Sequence, residues 1–171
     1  MSHGIGYDTH RLVEGRPLIL GGVTFEDAEL GLEGHSDADV LTHAIIDAIL
    51  GAAGLGDIGE HFPDTNPAFK DADSLQLLET TRALIGADGL RVKHVDATVV
   101  MERPKLGPRK QEIRETLARV LRLQPHHVNI KATTGEGMGF VGRGEGVAAL
   151  AIASVMGAPP VPGAREDAPP A

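Results

Sequence analysis

The stretch that most constrains this chain is GHSDADVLTHAIIDAILGAAG, residues 34–54. Its spacing predicts a helix over 36–53, stopped by Gly54. At about 100° per residue, Val40, Leu41, Ala44, Ile45, Ala48, Ile49 and Ala52 cover well over half of the circumference. A surface helix shows a broad polar face, whereas this one shows a single line: Asp39, His43 and Asp47, spaced four apart. Such a rod has to be enclosed by other elements. Ser36 followed by Asp39 reads as a capping box. The acid–base–acid line reads either as an internal hydrogen-bond ladder or as the wall of a site. If His43 binds a metal, Asp39 or Asp47 is placed to take its other ring N–H.

What encloses the rod follows from the rest of the chain, whose 171 residues suggest a single domain. HGIGY at 3–7 reads as a strand running into Asp8. Leu18-Ile19-Leu20 and Val23-Thr24-Phe25 flank Gly21-Gly22, the pattern of a tight hairpin. Ser74–Ile85 reads as an amphipathic helix, 90–101 as a half-buried strand, 107–122 as a helix with a charged outer face and 128–133 as a strand. GVAALAIASVM, 146–156, is apolar throughout and is assigned as a buried strand. The domain is set at 1–157; the Pro-rich end, 158–171, is expected to be disordered. This order predicts an α+β fold, a ferredoxin-like sandwich with a mixed sheet and helices packed on one face. The other sheet face then needs a cover, and another subunit is the simplest one.

Composition narrows the chemistry. There is no cysteine, so disulfides and thiolate metal sites are excluded and any metal must use His, Asp or Glu. A net charge of −8 argues against a general nucleic-acid binder, and 3% aromatics without tryptophan argue against a stacking platform for single strands. No apolar run approaches the ~20 residues that cross a membrane. MSHGIGYDTH has neither a basic leader nor a hydrophobic run, so no signal peptide is expected and the location is expected to be cytoplasmic.

Asp8 and His10 stand two apart on a predicted strand and therefore face the same side. With His43 they make a His-His-Asp set: three protein ligands and one open position, the arrangement of a catalytic zinc or similar divalent metal. The alternative leaves Asp8 as a turn residue, His10 as a solvated group and His43 as a satisfied core histidine. His35 is placed at the start of the helix, where backbone N–H groups favour anions. GDIGEHFPDTNP offers Asp57, Glu60, His61 and Asp64, either as a wrapping loop for a hydroxylated ligand or as solvated surface. Gly137-Met138-Gly139-Phe140-Val141-Gly142 is a literal G-x-G-x-x-G, but no βαβ unit follows it and the dinucleotide reading fails. What remains is a strand end with Thr133, Thr134 and Glu136, suited to a diphosphate with bound Mg²⁺. Lys105 is a candidate phosphate contact.

GIGYDTH, GHSDADVLTHAIIDAILGAAGLGDIGEHFPDTNPAFKDADS and KATTGEGMGFVGRGEG together resemble the 2-C-methyl-D-erythritol 2,4-cyclodiphosphate synthase family, from about residue 3 to 157. Tyr7 and Leu12 depart from the phenylalanines usual there, and Gly135 from a hydroxyl- or amide-bearing residue. The resemblance implies conversion of 4-diphosphocytidyl-2-C-methyl-D-erythritol 2-phosphate into the 2,4-cyclodiphosphate and CMP, in non-mevalonate isoprenoid synthesis. It implies a homotrimer with active sites between subunits and sheets facing the threefold axis. Asp8, His10 and His43 would hold Zn²⁺ or another divalent transition metal, and Glu136 would help hold Mg²⁺ or Mn²⁺. His35 and Thr134 would stabilise the transition state. Asp8, Thr9, His10, His35 and Ser36 would meet substrate on the metal side. Asp57, Ile58 and Gly59 would contact the erythritol, and Phe62, Pro63, Asp64, Thr65 and Asn66 would line the pocket. Lys105 and Leu106, with Thr133, Thr134, Gly135 and Glu136, would line the cytidine-diphosphate site. Phe140 and Arg143 would lie near the substrate and the trimer axis. Two other readings of the same residues are a metal-dependent nucleotide-diphosphate hydrolase and a trimeric isoprenoid-diphosphate binding protein.

Overall fold

The computed structural model describes residues 1–157. In chain order the strands and α-helices are β1 (Ser2–Val13), β2 (Ile19–Leu20), β3 (Val23–Thr24), β4 (Gly31–Leu32), α1 (Val40–Ala53), α2 (Ile58–His61), α3 (Ser74–Ala87), β5 (Leu90–Val100), α4 (Lys110–Leu121), β6 (Val128–Thr133), α5 (Gly139–Gly142) and β7 (Gly146–Gly157). Five strands form one sheet in the order β4-β1-β7-β5-β6; β2 and β3 form a separate hairpin. The sheet is mixed, because α4 carries the chain from β5 to a parallel β6 while β1, β5 and β4 pair antiparallel. Strand β1 is longer than the sequence suggests, since its ladder with β7 runs from Ser2↔Val155 to Arg11↔Gly146. The long elements run β-α-α-β-α-β-β. A ferredoxin-like sandwich would run β-α-β-β-α-β, so that part of the expectation is corrected.

The three long helices pack against the sheet layer: α1 on β1 and β7, α3 on α1 and β5, α4 on β6. The enclosure demanded by the α1 sequence is met, for all its residues except Asp47, Gly51 and Ala53 are buried. Strand β7 offers it small residues on the inner side, Ala149, Ala151 and Ala153. Strand β1 offers no side chain at all at Gly4 and Gly6. A Cβ on Gly4 would stand 2.2 Å from the Ala48 carbonyl oxygen, and one on Gly6 would stand 1.9 Å from that of Ala44. These two glycines let the helix backbone rest directly on the strand.

Helix α1 begins at Val40 rather than at 36. Asp39 is itself the N-cap, its side chain accepting the Thr42 N–H, and Ala38 before it has φ 60°. The Ser36/Asp39 capping box is therefore replaced by a bend. The reason is tertiary: the buried Asp39 carboxylate also accepts the N–H groups of Gly21 and Gly22, at 2.9 and 2.7 Å. The predicted hairpin turn thus presents its two amides to the helix cap. At 107–122 the first three residues form a 3-10 turn, and Arg122, with φ 55°, ends α4. The tail expected to be disordered lies outside the described residues.

The second face of the sheet shows Ile5, Tyr7, Leu150 and Ile152, at 69, 52, 41 and 49% exposure. The register pairs Ile5 with Ile152 and Tyr7 with Leu150, so the four make one contiguous apolar patch. Along β1 the parity puts Asp8 and His10 on the other side, with Gly4 and Gly6 under α1.

Candidate metal centre

Because Gly6 seats α1 against β1, His43 on the first turn of the helix meets Asp8 and His10. Asp8 Oδ2 lies 3.0 Å from His10 Nε2 and 3.1 Å from His43 Nδ1, and the two ring nitrogens are 3.2 Å apart. Four tetrahedral ligands at 2.0–2.1 Å from a zinc-type ion would stand about 3.3 Å from each other. The donor set and its spacing fit such an ion, with a fourth position left for a ligand. Among the described residues no other three His, Cys, Asp or Glu groups converge in this way.

Second contacts orient both imidazoles. His10 Nδ1 is 2.7 Å from the Glu33 carbonyl, which can only accept, so Nδ1 carries the proton and Nε2 turns its lone pair inward. The far nitrogen of His43, Nε2, is 2.9 Å from Ser74 Oγ and 3.2 Å from Ser36 Oγ. Neither Asp39 nor Asp47 takes it, contrary to the expectation from the helical stripe. Asp39 is used up by its cap and the hairpin, and Asp47 accepts the Ile58 N–H at 2.8 Å. Burial works to raise the Asp8 carboxyl, but hydrogen bonds and charge from His10 and His43 overcome it and hold the group well below the usual carboxylate range. Burial favours neutral His10, yet Asp8 beside it raises its pKa above the ordinary histidine value. Both shifts say that this cluster attracts positive charge.

The other predicted residues fall into two groups. Near the triad, Ser36 is buried and its Oγ accepts the Ala38 N–H, and Thr9 on the opposite parity donates to the Val147 carbonyl. His35 is not at a helix start, since α1 begins five residues later. It sits in the bend, its carbonyl accepting from Asp71 N–H and its Nε2 3.3 Å from the Asn66 carbonyl. Asp57 caps the short α2, whose first residues are Ile58 and Gly59. Phe62 packs edge-on against Phe69, and Pro63, Asp64 and Thr65 lead to Asn66, which caps the next turn.

The second group gathers at the far side of the sheet. Thr133 ends β6; Thr134 Oγ1 donates to Glu136 Oε1 at 2.6 Å, and the Gly135 N–H donates to Glu102 at 2.8 Å. Glu102, three residues before Lys105, is brought here by the turn. A Cβ on Gly135 would lie 2.7 Å from the Gly142 amide nitrogen, so this tight turn has no room for a side chain there. Lys105, Leu106, Thr133 and Thr134 line a crevice of about 280 Å³. A larger crevice of about 840 Å³ lies between Leu12, residues 27–30, residues 102–105, residues 142–144 and Gly146, and it contains none of the triad. Phe140 abuts Gly146, and Arg143 is exposed with its guanidinium paired to Glu145 at 2.7 Å. Thr9, Ala148, Val100 and Thr133 form one row across four strands. Three strand gaps put Thr133, at the end of β6, roughly 14 Å from Thr9 on β1. The glycine-rich segment that follows runs back across the sheet end to β1, where the Glu145 carbonyl accepts the Leu12 N–H at 3.0 Å.

Among the described residues no helix is long and apolar enough to cross a membrane. In sequence the chain is 61% identical over 153 residues to the bifunctional enzyme IspD/IspF of Anaeromyxobacter sp., covering 90% of this chain and 39% of that protein. It is 58% identical over 154 residues to the 2-C-methyl-D-erythritol 2,4-cyclodiphosphate synthase of Symbiobacterium thermophilum, covering 90% of this chain and 98% of that one. The chain thus spans well under half of the first relative and nearly all of the second. In structure it matches a 2C-methyl-D-erythritol-2,4-cyclodiphosphate synthase solved in its CDP-bound form, with a TM-score of 0.82 and 36% identity over 90% of this chain and 99% of that one. The YgbB family model matches residues 1–156, which takes in the triad, the 133–136 turn and nearly all of the sheet; the chain belongs to the YgbB family.

Proposed function

We propose that this chain is a 2-C-methyl-D-erythritol 2,4-cyclodiphosphate synthase, acting on 4-diphosphocytidyl-2-C-methyl-D-erythritol 2-phosphate. An oxygen of the substrate's 2-phosphate attacks the β-phosphorus of its diphosphate. The bridging P–O bond breaks, and CMP leaves with that bridging oxygen. The observation that carries the reading is the triad itself: three donor atoms 3.0–3.2 Å apart with an open fourth position, in a chain of this family.

Both reacting groups belong to one molecule, so the protein's task is to position them and offset their charge. Asp8 Oδ2, His10 Nε2 and His43 Nδ1 would hold Zn²⁺ or a similar divalent transition metal. Glu136, a single exposed carboxylate on a turn, suits Mg²⁺ or Mn²⁺, which take one or two carboxylates plus phosphate oxygens. When bound, such cations polarise phosphoryl oxygens and offset the negative charge of an acidic protein facing a polyanion. His35 and Thr134 donate hydrogen bonds to the phosphates as charge moves. Asp57, Ile58 and Gly59 hold the erythritol hydroxyls on the metal side. Lys105, Leu106 and the 133–136 turn hold the cytidine diphosphate.

The three-strand separation of the triad from the end of β6 supports a homotrimer in which the 133–136 turn of one copy completes the metal side of the next. The exposed Ile5–Tyr7–Leu150–Ile152 patch supports the same assembly, as apolar area that a neighbouring sheet would cover. The test is phosphorus NMR of the purified protein with substrate, Mg²⁺ and Zn²⁺, beside a chelated control. Coupled cyclic-diphosphate signals with CMP, lost on chelation, are expected. Linear phosphates would make it a hydrolase, and no turnover by metal-replete protein would favour a binding protein.

A further inference from the structure

Behind the triad lies a chain of polar atoms to which the reaction gives no role. Ser74, the first residue of α3, is fully buried. Its Oγ is 2.9 Å from His43 Nε2, and it donates its hydroxyl hydrogen to Asp37 Oδ1. Asp37 also accepts the Ser74 N–H at 2.9 Å and the Asp39 N–H at 3.2 Å. The directions of these bonds are not independent. Asp37, as a carboxylate, has no proton to give. The Ser74 hydroxyl therefore points its hydrogen at Asp37 and meets His43 with a lone pair. His43 must then be the donor, with its proton on Nε2. That leaves Nδ1 free to turn a lone pair to the position between Asp8 and His10 where the metal would sit; without metal, the Asp8 carboxylate 3.1 Å away competes for a proton on Nδ1. Ser36 Oγ, already accepting the Ala38 N–H, stands on the same side and can share the His43 proton.

We infer that Asp37 and Ser74 form a relay that holds His43 in its Nε2–H tautomer and thereby sets the metal affinity of the site. This rests on the metal reading above. Asp37 and Ser74 are positioning residues: neither reaches the donor set. The carboxylate–histidine–metal pairing common at such sites is here extended by one hydroxyl. It also ties three segments, α1, the start of α3 and the 33–38 bend, to a single imidazole.

The telling variant is Asp37→Asn, which keeps shape but can reverse the chain. With its amide oxygen on the Ser74 N–H, its NH₂ takes the place of Oδ1, gives up the 3.2 Å bond from the Asp39 N–H and faces the hydroxyl. Ser74 must then accept from Asn and donate to His43, which moves the imidazole proton to Nδ1 and points it at the metal position. Two readouts decide. In zinc-free protein carrying Asp8→Ala, which removes the competing acceptor 3.1 Å from Nδ1, imidazole nitrogen-15 NMR in mildly alkaline buffer should show His43 protonated on Nε2 with Asp37 in place and on Nδ1 with Asp37→Asn added. Chelator-competition titration with Zn²⁺ should show affinity roughly 10–100-fold weaker in Asp37→Asn, and weakened in Ser74→Ala, which removes the acceptor. Should Asp37→Asn not fold, Ser74→Ala and the Asp8→Ala spectrum still carry the test. An Nδ1–H tautomer in the Asp8→Ala protein would overturn the relay, as would folded Asp37→Asn and Ser74→Ala proteins that bind zinc within twofold of the wild type. A wild type that takes up no zinc would instead sink the metal reading, while the spectra still decide the tautomer.

Discussion

Replacing Gly6 by alanine tests whether the glycines of β1 build the metal centre. The new Cβ would lie 1.9 Å from the Ala44 carbonyl oxygen and 2.7 Å from the Ala48 amide nitrogen. Ordinary contact begins at 3.4 Å, so helix and strand must part by about 1.5 Å at this point. Both obstructing atoms are backbone, and no side-chain rotation can relieve them. Overpacking of this kind costs about 1–3 kcal/mol, sometimes more. The effect on the site is sharper. His43 precedes Ala44 on the helix and moves with it, while Asp8 follows Gly6 by two residues and stays with the strand. Metal–ligand bonds tolerate only about 0.2 Å of misplacement. Gly6→Ala should therefore lose Zn²⁺ retention after gel filtration even if urea denaturation shows that it still folds. A folded Gly6→Ala protein with wild-type zinc affinity would refute the reasoning.

Gly86, exposed at the end of α3 with nothing near its Cβ direction, is the matching control: Gly86→Ala should raise stability by about 0.4–1 kcal/mol in the same urea assay. Asp39→Ala strands the N–H groups of Gly21, Gly22 and Thr42 and the Thr42 hydroxyl, so thermal unfolding should register a loss well above the ~1 kcal/mol of an ordinary cap such as Asp73→Ala. Equal losses for the two would deny Asp39 its anchoring role. His10→Ala should abolish zinc uptake, measured by metal analysis, with the fold kept; full occupancy would defeat the ligand assignment. In chelated protein the Asp8–His10 pair should stabilise most between about pH 4 and 6.5. Asp8 is depressed, so its contribution is present above the unfolded carboxylate value and fades as pH falls through the folded one. His10 is raised, so its contribution is complete below the unfolded histidine value and fades as pH rises through the folded one. Urea titrations across pH should show that alkaline decline without zinc and not with it.

The α1 stripe shows where reading a sequence reaches its limit. Periodicity correctly announced a helix that must be enclosed, and it put His43 on a special line. It also suggested that Asp39 and Asp47 serve His43, because i and i+4 side chains are neighbours on an isolated helix. In the folded chain each acid has a nearer customer, Asp39 the Gly21-Gly22 turn and Asp47 the Ile58 amide. The residues that do attend His43, Ser74 and through it Asp37, come from a different helix and a bend. Neither carries any periodic signal.

The sequence by itself determined the strand parity that puts Asp8 and His10 on one side, the burial of α1, the Gly21-Gly22 hairpin and the absence of thiolate ligands. These follow from local periods of 2 and 3.6 and from composition, which do not depend on what packs where. The tertiary structure alone decided that α1 starts at Val40, that it touches β1 through two glycines, that the sheet runs β4-β1-β7-β5-β6 and that the triad and Thr133 stand three strands apart. Those depend on which long-range hydrogen bonds and contacts win once every buried donor and acceptor must find a partner.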